Sequence, residues 1–179
     1  MRKWHSLLCK ICRSHNLVNK DKFSVKTLAG TIIPEVLPDG RVRVDMGKPI
    51  LEAQKIPVDS LTPQDFIVEG FSASAISMGN PHCVIFTEHD SAKLAREYGP
   101  KIESHKLFPQ KTNVEFVQIK DRSRIKLDVY ERGCGITLAC GTGACAATVA
   151  GILKNYLDDT VCVELPGGEL TIEYKGKNV

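Results

Sequence analysis

The chain has no uncharged apolar run near the roughly 18 residues that a membrane-crossing helix needs, so no transmembrane span is expected. It also has little net charge: 24 Lys and Arg against 21 Asp and Glu leave +3 over 179 residues. Without a strong field of one sign, neither nucleic acid nor an anionic membrane is an expected partner. The apolar stretch after Met1 is broken by Lys10 and Arg13 before it reaches signal-peptide length, which points to the cytoplasm. The seven cysteines are odd in number and scattered, too few for a disulfide scaffold, and a reducing compartment would keep them as thiols. Cys9 and Cys12 form a lone CxxC with no second pair to complete a zinc site, and no other Cys or His spacing suggests ligands. Neither a metal nor an organic cofactor is therefore expected.

What is present is a globular composition, 42% hydrophobic and 25% charged, on a chain long enough for one large domain or two small ones. Residues 22–46 alternate in three runs, FSVKTL, TIIPEV and RVRVDM, separated by Ala29-Gly30 and Pro38-Asp39-Gly40, and predict an antiparallel meander. Residues 47–66 carry Pro49, Pro57 and Pro63 and read as an irregular crossing segment, so the domain boundary is placed there, between 1–48 and 49–179. Beyond it, strands are expected at 73–78, 83–86, 114–119 and 125–129, with a helix at 91–98 that Gly99-Pro100 should stop. A glycine-rich turn, ACGTGAC, then feeds a small-residue helix over about 143–155 that can be buried on all sides. Two last strands, VCVEL and ELTIEY, flank the turn Pro166-Gly167-Gly168. Residues 16–35 and 155–173 share a pattern of helix end, polar turn, strand, glycine turn and strand, which suggests two similar halves.

Cys140 stands immediately before the glycine-rich helix start. Unpaired N–H groups and the positive end of the dipole there should lower its thiol pKa and cradle a carboxylate or a developing carbanion. Glu131-Arg132 could clamp an amino acid's ammonium and carboxylate, although a solvated pair at a strand end explains them as well. Asn80-Pro81-His82 follows a glycine, where a structural turn is a sufficient account, and Asn113 has the same standing. Cys83, Cys134, Cys145 and Cys162 read as small core or strand residues.

Taken together, YERGCGITLACGTGACA at 130–146, SMGNPHCV at 77–84, KTNVEF at 111–116 and VELPGGEL at 163–170 closely resemble the diaminopimelate epimerase family. The resemblance implies an α+β fold of two pseudo-symmetric halves, each a central helix wrapped by a curved, mainly antiparallel sheet. It also implies cofactor-independent inversion of one stereocentre of diaminopimelate, for lysine and peptidoglycan precursor synthesis. In that family two cysteines, one from each half, work on opposite faces of the α-carbon. Carried over, Cys140 is one of that pair and Glu131 and His82 support catalysis. Asn80, Asn113, Glu131, Arg132, Gly141 and Thr142 bind the substrate, the last two through backbone N–H groups.

The family's other cysteine belongs to a Cys-Gly-Asn-Gly turn that this chain lacks, so the first half is expected to be incomplete and unaided activity impaired. One codon choice for residues 1–12, read one nucleotide later, encodes Cys-Gly-Asn-Gly-Ile-Arg-Cys-Phe-Ala-Lys-Tyr, which suggests a frame change near Cys12 or Arg13. Two other readings stand beside the epimerase. One is a catalytically dead remnant that binds only substrate or a partner chain; the other is a proline-racemase-type enzyme, against which the Glu131-Arg132 stretch argues. A homodimer is left open.

Overall fold

The structure, a computed structural model, describes residues 20–27 and 30–179. Cys9, Cys12, the start of the first repeat and the segment of the suggested frame change lie outside the described residues. Contacts divide the chain into two compact units, Met1–Gly47 and Lys48–Val179.

In the first unit, β1 (Val25–Thr27) pairs antiparallel with β2 (Gly30–Ile32), and β3 (Pro34–Val36) pairs antiparallel with β4 (Val42–Val44). The expected antiparallel meander is present: past Ile33 the first ladder continues through a Lys22–Glu35 bridge, with the Val36 N–H on the Asp21 carbonyl at 2.8 Å, and it is interrupted at Pro34, which brings no N–H to a sheet. At the turn into β4, Gly40 takes φ +80° while Asp39 Oδ1 accepts the Arg41 N–H at 3.0 Å.

The second unit is built on β5 (Phe66–Val68), β6 (Phe71–Ser77), β7 (Pro81–Phe86), α1 (Ser91–Glu103), β8 (Asn113–Asp121) and β9 (Arg124–Glu131). It continues with β10 (Gly135–Thr137), α2 (Gly141–Leu153), β11 (Thr160–Leu165) and β12 (Gly168–Glu173). These strands form an eight-stranded sheet in the order β12-β11-β9-β8-β7-β6-β5, with β10 added to β9. Two pairs are parallel, β7 with β8 and β9 with β11, and the rest are antiparallel. A parallel pair needs a long crossover, and the two here hold the two helices: α1 lies between β7 and β8, and α2 between β9 and β11. The architecture is α+β. Two strands have no counterpart in the sequence reading, the edge strand β5 and the short β10, each only three residues long.

Alternation along each strand sorts the side chains onto the two faces. Ala73, Ala75, Cys83, Ile85, Val114 and Phe116 form the buried core with Ala95 and Ile102 of α1. The alternate positions, His82 and Val84 on β7 with Asn113 and Glu115 on β8, occupy the other face, paired His82 to Asn113 and Val84 to Glu115.

Helix α1 does not stop at Gly99-Pro100 as the sequence suggested; it runs through to Glu103. Pro100 forfeits one helical hydrogen bond, but continuation buries Ile102 completely and lays Gly99 on Tyr130. A Cβ on Gly99 would sit 2.6 Å from both Cβ and Cγ of Tyr130, atoms tied to the β9 backbone. Gly99→Ala is therefore expected to lose roughly 1–3 kcal/mol through overpacking, more than the ~1 kcal/mol alanine normally gains in a helix. A thermal melt showing an unchanged or raised Tm would refute this close packing.

The α2 helix starts at Gly141, two residues earlier than expected, and is buried nearly all round. One cysteine departs from its expected place: Cys134 is exposed on the β9–β10 turn, whereas Cys83 and Cys145 are buried and Cys162 is half-buried.

Candidate active site

The hairpin from β6 to β7 turns at Gly79, whose φ of +89° suits a residue without a side chain. It delivers Asn80, Pro81 and His82 to the edge of the α2 face. His82 has no exposure; its Nδ1 lies 2.7 Å from Glu115 Oε1, and its Nε2 lies 3.1 Å from Asn80 Oδ1. Asn80 Nδ2 donates to Thr142 Oγ1 at 3.4 Å, and that hydroxyl lies 3.5 Å from Cys140 Sγ. Cys140 is the N-cap of α2, and its sulfur also accepts the Gly143 N–H at 3.4 Å. A continuous row of contacts thus runs from Glu115 through His82, Asn80 and Thr142 to Cys140. Residues up to 62 positions apart meet in it. The hydrogen bonds of His82 go to Glu115 and Asn80, so it is linked to the thiol through this row.

The second glycine of GTG has a steric reason. A Cβ on Gly143 would stand 2.7 Å from Glu115 Oε1 and 3.3 Å from Cys140 Sγ. The carboxyl is packed under the first turn of the helix, beside the sulfur. Gly143→Ala should cost roughly 1–3 kcal/mol by the same overpacking; a melting curve at or above that of the parent chain would contradict it.

The expected lowering of the Cys140 pKa is reversed. Burial, followed by the negative charge of Glu115, pushes the thiol up to about 12, and Glu131 adds to the effect. The Thr142 hydroxyl and the Gly143 N–H pull the other way but do not win, because the helix terminus acts on a residue that is only 5% exposed and shares its site with two carboxyl groups. Cys140 is therefore a neutral thiol at pH 7. Burial also holds the Glu115 carboxyl above the usual carboxylate range, against the opposing pull of His82.

Glu131, Arg132 and Gly133 leave the end of β9 in a turn that two acceptors from elsewhere hold down. Asn113 Oδ1 accepts the Arg132 N–H at 3.0 Å, and Glu103 Oε1 accepts the Gly133 N–H at 2.7 Å. Asn113 Nδ2 donates to the Pro81 carbonyl at 2.8 Å, so this amide staples the start of β7 to the end of β9. One N–H and one lone pair of the amide remain for other use. Glu131 is half-buried and accepts from the Thr137 hydroxyl at 2.6 Å. The Arg132 side chain is exposed and donates to the Gln110 carbonyl at 3.1 Å.

Of the residues singled out from the sequence, Asn80, His82, Thr142 and Cys140 thus share one row, with Gly141 buried beside them. Asn113, Glu131 and Arg132 form a second group, joined to the first where Asn113 neighbours His82 in the sheet register. Two acids were missed. Glu115 had a legible signal, a lone charge in the apolar run Val114, Phe116, Val117 on one strand. Glu103, at the end of α1, had none. Among the described residues no cluster of three or more His, Cys, Asp and Glu could hold a metal ion, and no helix is long and apolar enough to cross a membrane.

The family model for diaminopimelate epimerase matches residues 74–179. Diaminopimelate epimerase 1 of Nostoc sp. (strain PCC 7120) is 48% identical over 164 residues, covering 87% of this chain and 59% of the relative. The diaminopimelate epimerase of Carboxydothermus hydrogenoformans is 50% identical over 160 residues, with 87% and 58% covered. The chain spans about three fifths of the length of these curated relatives. Among solved structures, a hydroxyproline epimerase from Agrobacterium vitis aligns with TM-score 0.62 at 14% identity, over 95% of this chain and 56% of that one. A PhzF-family phenazine biosynthesis protein from Bacillus anthracis aligns with TM-score 0.56 at 14% identity, over 90% and 62%. These two likenesses concern the fold. With the family model covering more than half of its residues and the site motifs falling inside the matched segment, the chain belongs to the diaminopimelate epimerase family.

Proposed function

We propose that this chain carries one thiol half-site of a diaminopimelate epimerase, in which Cys140 exchanges a proton with the α-carbon of the substrate without a metal or organic cofactor. The observation that supports the reading best is the placement of Cys140 at the N-terminus of α2, its sulfur in reach of the Gly143 N–H and the Thr142 hydroxyl. Inversion at an amino acid α-carbon needs a base on one face and a proton donor on the other. A neutral thiol suits the donor: the S–H bond breaks as a C–H bond forms, and the thiolate left behind is met by the N–H and O–H groups around it. In the reverse sense that thiolate takes the α-proton and returns to the neutral form.

Asn80, Glu131, Arg132 and the backbone N–H groups of Gly141 and Thr142 are assigned to the substrate. In this assignment Arg132 leaves the Gln110 carbonyl for a carboxylate, which its planar fork matches better. Asn113 acts by holding the Arg132 turn in place and offers its remaining N–H to the ligand. In this reading residues 49–179 form one epimerase half and residues 1–48 part of the other.

The test is to incubate LL-diaminopimelate with the purified, reduced chain in deuterated water and to record both α-deuterium incorporation and the appearance of the meso isomer. Deuterium incorporation, with or without inversion, is the expected result. Exchange without inversion would mark a single working thiol. Neither exchange nor inversion, from a chain shown to be folded, would overturn the proposal.

A further inference from the structure

Glu115 sits in the middle of β8 with no exposure. Its Oε1 is on His82, while its Oε2 meets no hydrogen-bond partner. Counting donors along the row defines what this carboxyl does. Asn80 turns its amide nitrogen to Thr142 and its oxygen to His82 Nε2. That ring nitrogen must then carry a hydrogen. Thr142, accepting from Asn80, has its own hydrogen free for Cys140 Sγ. At the far end, Nδ1 and Oε1 stand 2.7 Å apart. Two bare lone pairs at that distance would repel, so one proton lies between them, as carboxylic acid on imidazole or as carboxylate on imidazolium.

The row also has a second possible sense. If Glu115 and His82 together lost that proton's equivalent, leaving Nδ1–H on a carboxylate and a bare Nε2, Asn80 would have to turn its NH₂ to the ring. Thr142 would then donate to Asn80 and accept from the thiol, and the sulfur would lose a donor. The end at Glu115 decides which sense holds.

We propose that Glu115 is a positioning residue for Cys140: with His82 it keeps one shared proton, and this polarises the row so that the Thr142 hydroxyl donates to the Cys140 sulfur. The inference rests on Cys140 being the reacting thiol of the proposed function, but its consequences appear in thiol chemistry without turnover. Besides Glu115, the groups around the sulfur are Glu131 by its charge and Thr142 and Gly143 as donors.

The experiment compares Glu115→Gln with Glu115→Leu in the purified, reduced chain, measuring the rate at which iodoacetamide modifies Cys140 at pH 8 by peptide mass spectrometry. Both substitutions remove the carboxyl and retain most of its bulk; only glutamine offers an N–H to His82 Nδ1 and so preserves the polarity. Cys140 should react about tenfold faster in Glu115→Gln than in Glu115→Leu, the effect of one donor to a charged sulfur. Repeated in the Thr142→Val background, which removes the last donor of the row, the difference should vanish. Equal rates in the first comparison, or a difference that survives Thr142→Val, would overturn the proposal. If Glu115→Leu fails to fold by circular dichroism, the ¹⁵N signals of the His82 ring in Glu115→Gln decide. A ring protonated at Nε2 with Nδ1 as acceptor is expected, and the opposite tautomer would overturn the proposal. Alkylation as expected from a chain that never exchanges diaminopimelate would remove the proposed reaction and leave this inference standing.

Discussion

Cys140→Ala should lower α-deuterium incorporation into diaminopimelate at least ~100-fold, the lower end of what a positioned acid or base contributes. The sulfur is the atom toward which the site converges: it accepts the Gly143 N–H, lies against the Thr142 hydroxyl, and is pushed up to about 12 by burial and then by Glu115. Cys140→Ser is the matched control. Its hydroxyl keeps an oxygen at the N-cap position, where serine is favoured, so the helix start and the melting temperature should be preserved. A serine hydroxyl is nevertheless a far weaker acid than a thiol, and exchange should fall as it does for alanine. Exchange by the alanine variant within a few-fold of the parent chain would place the reacting group elsewhere, with Glu131 the first alternative.

Phe116→Ala should give the largest loss of stability, roughly 3–5 kcal/mol, or about 6–20 °C in Tm for a chain of this size. Phe116 is fully buried in the middle of β8, and its ring stands edge-on to Phe71, 5.6 Å between centroids. Phe71 in turn meets Tyr98 of α1 at 4.9 Å. Truncation would open a cavity where three elements meet, and the surrounding backbone is held by a parallel ladder to β7 and an antiparallel one to β9, which limits collapse. The strand that would shift also carries Asn113 and Glu115 on its other face, so Cys140 reactivity should change with stability. A Tm within about 2 °C of the parent would show that the site relaxes around the missing ring.

How far the molecule could be read from its sequence differs from element to element. Alternation located β9, because a half-buried strand repeats every second residue. It missed β5 and β10, since three residues contain too little of any period. Gly99-Pro100 was read as a helix end on local grounds, and the gain from burying Ile102 and from contact with Tyr130 overrode them. The glycine-rich turn was legible as the start of a helix, and so was Cys140 at its cap; the reason for the second glycine was not, because it lies in a carboxyl 28 positions earlier in the chain.

The sequence by itself determined the α+β pattern of the second unit, the motifs that place the chain in its family, and the place of Cys140 immediately before the glycine-rich helix start. These are encoded in residue spacing, and spacing is local. Only the tertiary structure decided that Glu115 meets His82 across 33 positions, that Glu103 holds Gly133 across 30, and that the Cys140 thiol is neutral and not a thiolate. Those outcomes depend on which groups are removed from water together, and neither burial nor the distance between two charges exists until the sheet and its two helices have packed.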